Sequence, residues 1–196
     1  MMAFLDFALK YVDVFTLFAV VFGGLFALSQ WNTQVKHKRD EIVKELICKV
    51  RDDEDISSIM DAIDWNEGIL YDGKFSVNPA YPKETLKELN DDDLFKKVDK
   101  TLSHFSYICY LKANKTLTNK DMYPFEYELR RIADNVHISN YLYSLYHWSK
   151  HLKVKCSFHY LIWYCLEKGY LAKDFENQNA KHYTCFLVIP TQKSTN

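Results

Sequence analysis

VFTLFAVVFGGLFALSQWNTQV, from Val14 to Val35, holds no charged residue, and Lys36-His37-Lys38-Arg39 follows at once. As a helix rising about 1.5 Å per residue it would be about 33 Å long. A hydrocarbon core is about 30 Å thick, and a basic cluster marks the cytoplasmic end of a span. The sequence therefore predicts a transmembrane helix within residues 1–35, flanked by Lys36, Lys38 and Arg39.

Charge on the two flanks sets the expected orientation. Lys36, Lys38, Arg39, Lys44, Lys49 and Arg51 follow the apolar run, whereas Lys10 alone precedes it, beside Asp6 and Asp13. The positive-inside rule then puts the C-terminal part in the cytoplasm. A cleaved signal peptide ending at Ala27-Leu28-Ser29 is the rival reading. It wants a basic start and no basic cluster beyond the site, and this chain offers the reverse. Asp6, Lys10 and Asp13 share a helix face, which suits an interfacial turn on the outer surface or, if the spanning helix starts near Ala3, a charged stripe facing a partner. Ala19, Gly23 and Ala27 fall four apart, and small residues so spaced let two membrane helices approach closely.

The rest of the chain has the composition of one folded domain. The net charge is −1, which gives no overall pull towards nucleic acid. Mean hydropathy of −0.29 shows that apolar character is concentrated in the one run. Aromatic residues make up 16%, which suits a packed core rather than disorder. Five cysteines, Cys48, Cys109, Cys156, Cys165 and Cys185, stand at irregular spacings without a C-x-x-C pair. That pattern predicts buried thiols in a reducing compartment rather than a disulfide framework.

Periodicity divides the chain into an N-terminal segment with its membrane helix (1–35), a stalk helix (36–54), a mainly helical domain (55–190) and a polar tail (191–196). Val35, Ile42, Val43, Leu46, Ile47 and Val50 keep a helical period through the stalk. Asp55 is placed to cap a helix through Ile56, Ile59, Met60 and Ile63. Asp72-Gly73, between Ile69-Leu70-Tyr71 and Lys74-Phe75-Ser76-Val77, signals a β-hairpin. A short helix from Pro82 to Leu89 follows. Leu94, Val98, Leu102, Phe105, Ile108 and Leu111 then mark an amphipathic helix. Thr118 with Asp121 reads as a capping box for a helix bearing Phe125, Leu129 and Ile132. Helices near Ile138–Leu152 and Ser157–Leu171 follow, the last ending about Gly169, and Tyr183–Ile189 reads as a strand ended by Pro190. The expected fold class is mainly α with a small β element.

Three patterns carry a resemblance: Leu102-x-x-Phe105-x-x-Ile108-x-x-Leu111, Phe125-Glu126-Tyr127 leading to Arg131-Ile132, and Tyr141-Leu142. With them, Asp91 to Leu171 resembles an uncharacterised family of bacterial proteins that join one membrane helix to a cytoplasmic helical domain. The resemblance implies that architecture and a bacterial inner membrane. It implies no activity.

Two strings carry candidate chemistry. Arg130, Arg131 and His137 have the spacing found in a superfamily of small all-helical ribonucleases, where His is the base and Arg steadies the phosphate. Ile132 stands where those enzymes place a polar residue. In an unbroken helix Arg131 and His137 would lie about 120° apart, whereas Arg130 and His137 would share a face. His147, His151, Cys156 and His159 are dense in zinc-ligand types, but they span a helix junction at no familiar spacing. Core and interfacial histidines among aromatics are the plainer account. The acidic clusters Asp52–Asp55 and Asp91–Asp93 lack the spacing of a calcium loop and suit helix starts.

The function expected is a membrane-tethered interaction, sensing or effector module, oligomeric and without a cofactor. Bacterial defence or a stress response would suit it. The alternative is a membrane-tethered, metal-independent ribonuclease. Expected partners are the bilayer, a second copy of the chain and a protein partner, with nucleic acid disfavoured.

Overall fold

The computed structural model describes residues 2–65 and 92–183, with the side chains of 16–64 and 93–183. The hairpin expected at Ile69–Val77, the helix from Pro82 and the strand beyond Tyr183 lie outside the described residues. What is described is mainly helical, and no strand occurs among the described residues. The helices are α1 (Met2–Asp52), α2 (Glu54–Trp65), α3 (Asp92–Ala113), α4 (Asn119–Asp134), α5 (Val136–His151) and α6 (His159–Glu167). The chain forms two compact units, Met1–Lys44 and Glu45–Asn196, so the boundary falls inside α1 and inside the stalk range.

The first unit is a single uninterrupted helix, since no Pro interrupts it and its two glycines, Gly23 and Gly24, are adjacent. Asp6, Lys10 and Asp13 fall within α1, whose backbone is helical from Met2. Among the described residues no helix is long and apolar enough to cross a membrane. Side chains are described only from residue 16 onward, and within that part Ser29, Gln30, Asn32, Thr33 and Gln34 follow the apolar residues that end at Leu28.

In the second unit α3 is the central element. Val98, Leu102, Phe105, Ile108 and Cys109 are buried along it at helical spacing, and it packs against α2 on one side and α6 on another. α2 offers Ile56, Ile59, Met60 and Ile63 to that contact, the i, i+3, i+4, i+7 stripe of an amphipathic helix. α4 contributes Met122, Phe125, Leu129 and Ile132, α5 Ile138, Leu142 and Tyr143, and α6 Leu161, Ile162, Tyr164 and Cys165. The irregular segment after α6 closes the core with Leu171 and Phe175. Tyr183 stacks on Tyr143 at 5.1 Å, and its hydroxyl accepts from the Ala172 N–H at 2.7 Å.

Polar residues set where the helices begin and end. Asp53, not Asp55, opens α2: its Oδ1 accepts from the N–H groups of Asp55 at 3.2 Å and Ile56 at 3.4 Å. Asp55 is freed for Lys100, whose Nζ lies 2.7 Å from Asp55 and 2.8 Å from Asp53, tying α2 to α3. The Asp121 carboxylate accepts from the Thr118 N–H at 2.7 Å, so the capping box forms as read. Asn135 separates α4 from α5, its Oδ1 accepting from His137 N–H and Ile138 N–H, both at 3.1 Å.

Three helices end on a residue of positive φ: Lys115 (61°), Lys153 (58°) and Gly169 (71°). After α3, Lys115 N–H donates to Lys112 O at 3.0 Å and Thr116 N–H to Leu111 O at 2.9 Å. After α5, the Lys153–Lys150 and Val154–Ser149 bonds repeat the pattern at 3.1 and 2.9 Å. These bonds satisfy carbonyls that a helix end leaves open.

Candidate functional site

The Arg/His string is divided by the fold. Arg130 and Arg131 lie near the end of α4 and His137 in the first turn of α5, across the break at Asn135. Arg131 is turned into the protein. Its guanidinium donates to Met60 O at 3.0 Å, pairs with Glu128 at 2.9 Å and with Asp64, and lies 5.0 Å from the centre of the Tyr127 ring. Arg130 points to solvent and pairs with Asp134 at 3.4 Å, one turn along α4. The two arginines differ in role: one ties α4 to α2, the other sits on a solvated face.

The His/Cys string is likewise not gathered. Nε2 of buried His147 lies 3.0 Å from Phe175 O, so that nitrogen carries the proton and donates. His151 packs against Trp148, and His159 against Tyr160. Cys156 is buried, and burial raises its thiol pKa. Among the described residues no group of three or more His, Cys, Asp or Glu side chains is placed to hold a metal ion. In this geometry His147 makes a core hydrogen bond, and His151 and His159 pack against aromatic rings.

Cys48, Cys109, Cys156 and Cys165 are free thiols, and Cys185 lies outside the described residues. Burial pushes Cys165 up to about 12 and raises Cys109 well above its ordinary value, so both are inert thiols.

An open cleft of about 460 Å³ lies where α5, α6 and the segment after α6 meet. Tyr146, Ile162 and Trp163 wall it, and His159, Glu167, Lys173 and Glu176 supply its charged and titratable groups. The Tyr146 hydroxyl donates to Glu176 at 3.2 Å. Burial, with Lys155 nearby, lowers the His159 pKa. The sequence pattern marks His159 but not Glu167, Lys173 or Glu176. Nothing periodic marks those three, because two of them sit in irregular chain.

The most unusual surface belongs to the first unit. From Leu17 to Leu28 every large apolar side chain is exposed, Leu17, Val20, Phe22 and Phe26 by 64–67%. Ala19, Gly23 and Ala27 are exposed as well. A β-carbon added at Gly23 would meet nothing within 4 Å. Lys36 and Lys38 are exposed beyond the apolar run, and Arg39 is half-buried.

No known family, no curated protein and no solved structure matches this chain. The class of protein is therefore defined by its own architecture: a mainly helical domain preceded by a long helix with an exposed apolar run from Leu17 to Leu28.

Proposed function

We propose that the chain is a membrane-tethered interaction or effector module, anchored once by α1, with Glu45–Asn196 on the cytoplasmic side and acting as a homo-oligomer. The observation that carries the reading is the ring of exposed side chains from Leu17 to Leu28. Monomeric soluble proteins rarely expose contiguous apolar patches above a few hundred Å², and larger ones mark membrane or protein contacts. A helix apolar on one stripe fits against a core, whereas one apolar all round suits lipid.

Length asks more of the bilayer than of the helix. Val14 to Leu28 is about 22 Å as a helix, short of a hydrocarbon core of about 30 Å. The uncharged residues up to Val35 extend it to about 33 Å, with Trp31 suited to the headgroup level and Lys36 and Lys38 able to snorkel. Local thinning of the bilayer accommodates what mismatch remains. Tethering also raises the mutual concentration of the attached domains, so weak contacts between copies become effective. A role in bacterial defence or stress is the setting we infer for such a module.

The test is fractionation with a topology reporter. The chain should stay in the membrane pellet through alkaline carbonate, and a reporter fused after Asn196 should behave as cytoplasmic. Release by carbonate would remove the anchor. An active periplasmic phosphatase fused after Asn196 would reverse the orientation.

A further inference from the structure

The turn between α5 and α6 presents lysines and aliphatic side chains together at the surface. Lys153 occupies its left-handed position, where glycine is the ordinary residue because a β-carbon is strained there. Leu152 and Val154, on either side, are exposed by 52% and 57%. Lys150 and Lys155 complete the turn, with Lys155 Nζ 4.2 Å above the Tyr160 ring and Lys150 Nζ 5.8 Å from that of Tyr146. Between Asp134 and Glu167 the sequence has no acidic residue. Packing brings Glu176 to the Tyr146 hydroxyl, but among the described residues Lys150, Lys153 and Lys155 form no ion pair. The turn thus offers three cations around two unburied aliphatic side chains.

We propose that this turn is a second, peripheral membrane contact, in which Leu152 and Val154 enter the headgroup region and Lys150, Lys153 and Lys155 bind anionic lipid. Apolar side chains set among lysines are what an anionic bilayer surface holds, each lysine adding about a fivefold gain near the surface. Single-stranded nucleic acid would favour exposed rings for stacking, whereas Tyr146 and Tyr160 beside the lysines are half-buried and the protruding groups here are aliphatic. The contact rests on the tethering reading for its strength. Three lysines bind weakly alone, and attachment through α1 makes the encounter intramolecular.

The experiment reconstitutes the full chain into phosphatidylcholine bilayers with and without phosphatidylglycerol and follows amide hydrogen exchange over residues 150–156. Protection should appear in the anionic bilayer, be absent from the neutral one and weaken with salt. A Lys150→Gln/Lys153→Gln/Lys155→Gln variant should lose about a hundredfold of it. Leu152→Ser/Val154→Ser should also lose protection, and both positions are exposed, so folding is not at risk. Equal exchange in the two bilayers, or full protection in the glutamine variant, overturns the contact. Protection by added RNA rather than anionic lipid overturns it in favour of nucleic acid. The anchor is read separately by carbonate extraction from the neutral bilayer. If the chain is released there, the tether fails, and the turn is judged by sedimentation with anionic and neutral vesicles at low salt. Equal sedimentation of parent and glutamine variant then overturns the contact, and selective loss in the variant upholds it.

Discussion

Arg131 in α4 donates to the carbonyl oxygen of Met60 in α2 at 3.0 Å, across 71 positions of sequence. The same guanidinium pairs with Glu128 on its own helix and with Asp64 at the far end of α2. Most of its donors are therefore spent inside the fold, and a phosphate could recruit them only by breaking the link between α2 and α4. Arg130, beside it in sequence, has no such duty. The contrast makes the first prediction quantitative.

Arg131→Ala should cost about 2–3 kcal/mol, because it strips charged hydrogen bonds from a half-buried carboxylate pair and a carbonyl. Arg130→Ala removes one exposed i,i+4 pair and should cost less than about 0.5 kcal/mol. Urea denaturation of both variants is the measurement. Equal losses would show that Arg131 does not hold α2 in place.

His104 and His147 should make stability depend on acid. Burial is the leading cause that lowers both pKa values, and each ring bonds a backbone carbonyl, Leu46 O for His104 and Phe175 O for His147. Lys49 lowers and Asp53 raises His104, while Lys150 lowers His147. An unfolded His takes its proton near pH 6.5, above the folded values, so the unfolded state binds more protons below that point. Stability should be flat above about pH 7 and fall as pH drops below about 6.5. His147→Gln, which keeps a donor for Phe175 O, should shrink the fall. A urea midpoint unchanged between about pH 7.5 and 5.5 would contradict this.

Lys115→Gly and Lys153→Gly should each raise stability by about 0.5–1 kcal/mol. The left-handed conformation costs a side chain about 1–2 kcal/mol, and the greater freedom of unfolded glycine offsets part of that gain. Gly169, at φ 71°, already uses glycine for the same closure. The two variants should part company on lipid: Lys153→Gly should melt higher yet bind anionic bilayers less, while Lys115→Gly only melts higher. Thermal melts and vesicle binding on the same preparations check it.

Zinc should be substoichiometric in the purified protein, and chelation should leave its melting unchanged. Among the described residues His147, His151, Cys156 and His159 are not gathered into a group that could hold a metal ion. Elemental analysis giving one zinc per chain, lost in His151→Ala/Cys156→Ala, would contradict the packing reading.

The helical stripes were legible because α2, α3 and α4 bury residues at i, i+3, i+4 and i+7, a period local sequence carries by itself. The capping box at Thr118 and Asp121 was legible for the same reason, since both partners lie within one turn. Asp53 and Asp55 were confused because both are good cap residues, and Lys100, from α3, decides between them. Arg131 and His147 were out of reach. Their partners lie 71 and 28 positions away, and Phe175 sits in irregular chain that no period announces.

Self-association through α1 gives the last prediction. Ala19, Gly23 and Ala27 recur every four residues, and lipid offers helices no hydrophobic drive, so close backbone approach between small residues must supply the attraction. A β-carbon at Gly23 meets nothing within 4 Å in the single chain, so Gly23→Ile is sterically free there. It even removes a weak helix former. Any loss of association must then arise between chains, where the added side chain holds the backbones apart. A membrane two-hybrid assay should show Gly23→Ile weakened and Phe22→Ile, on another face, close to the parent. If both variants associate like the parent, the contact between copies lies outside this face, and Glu45–Asn196 becomes the place to look.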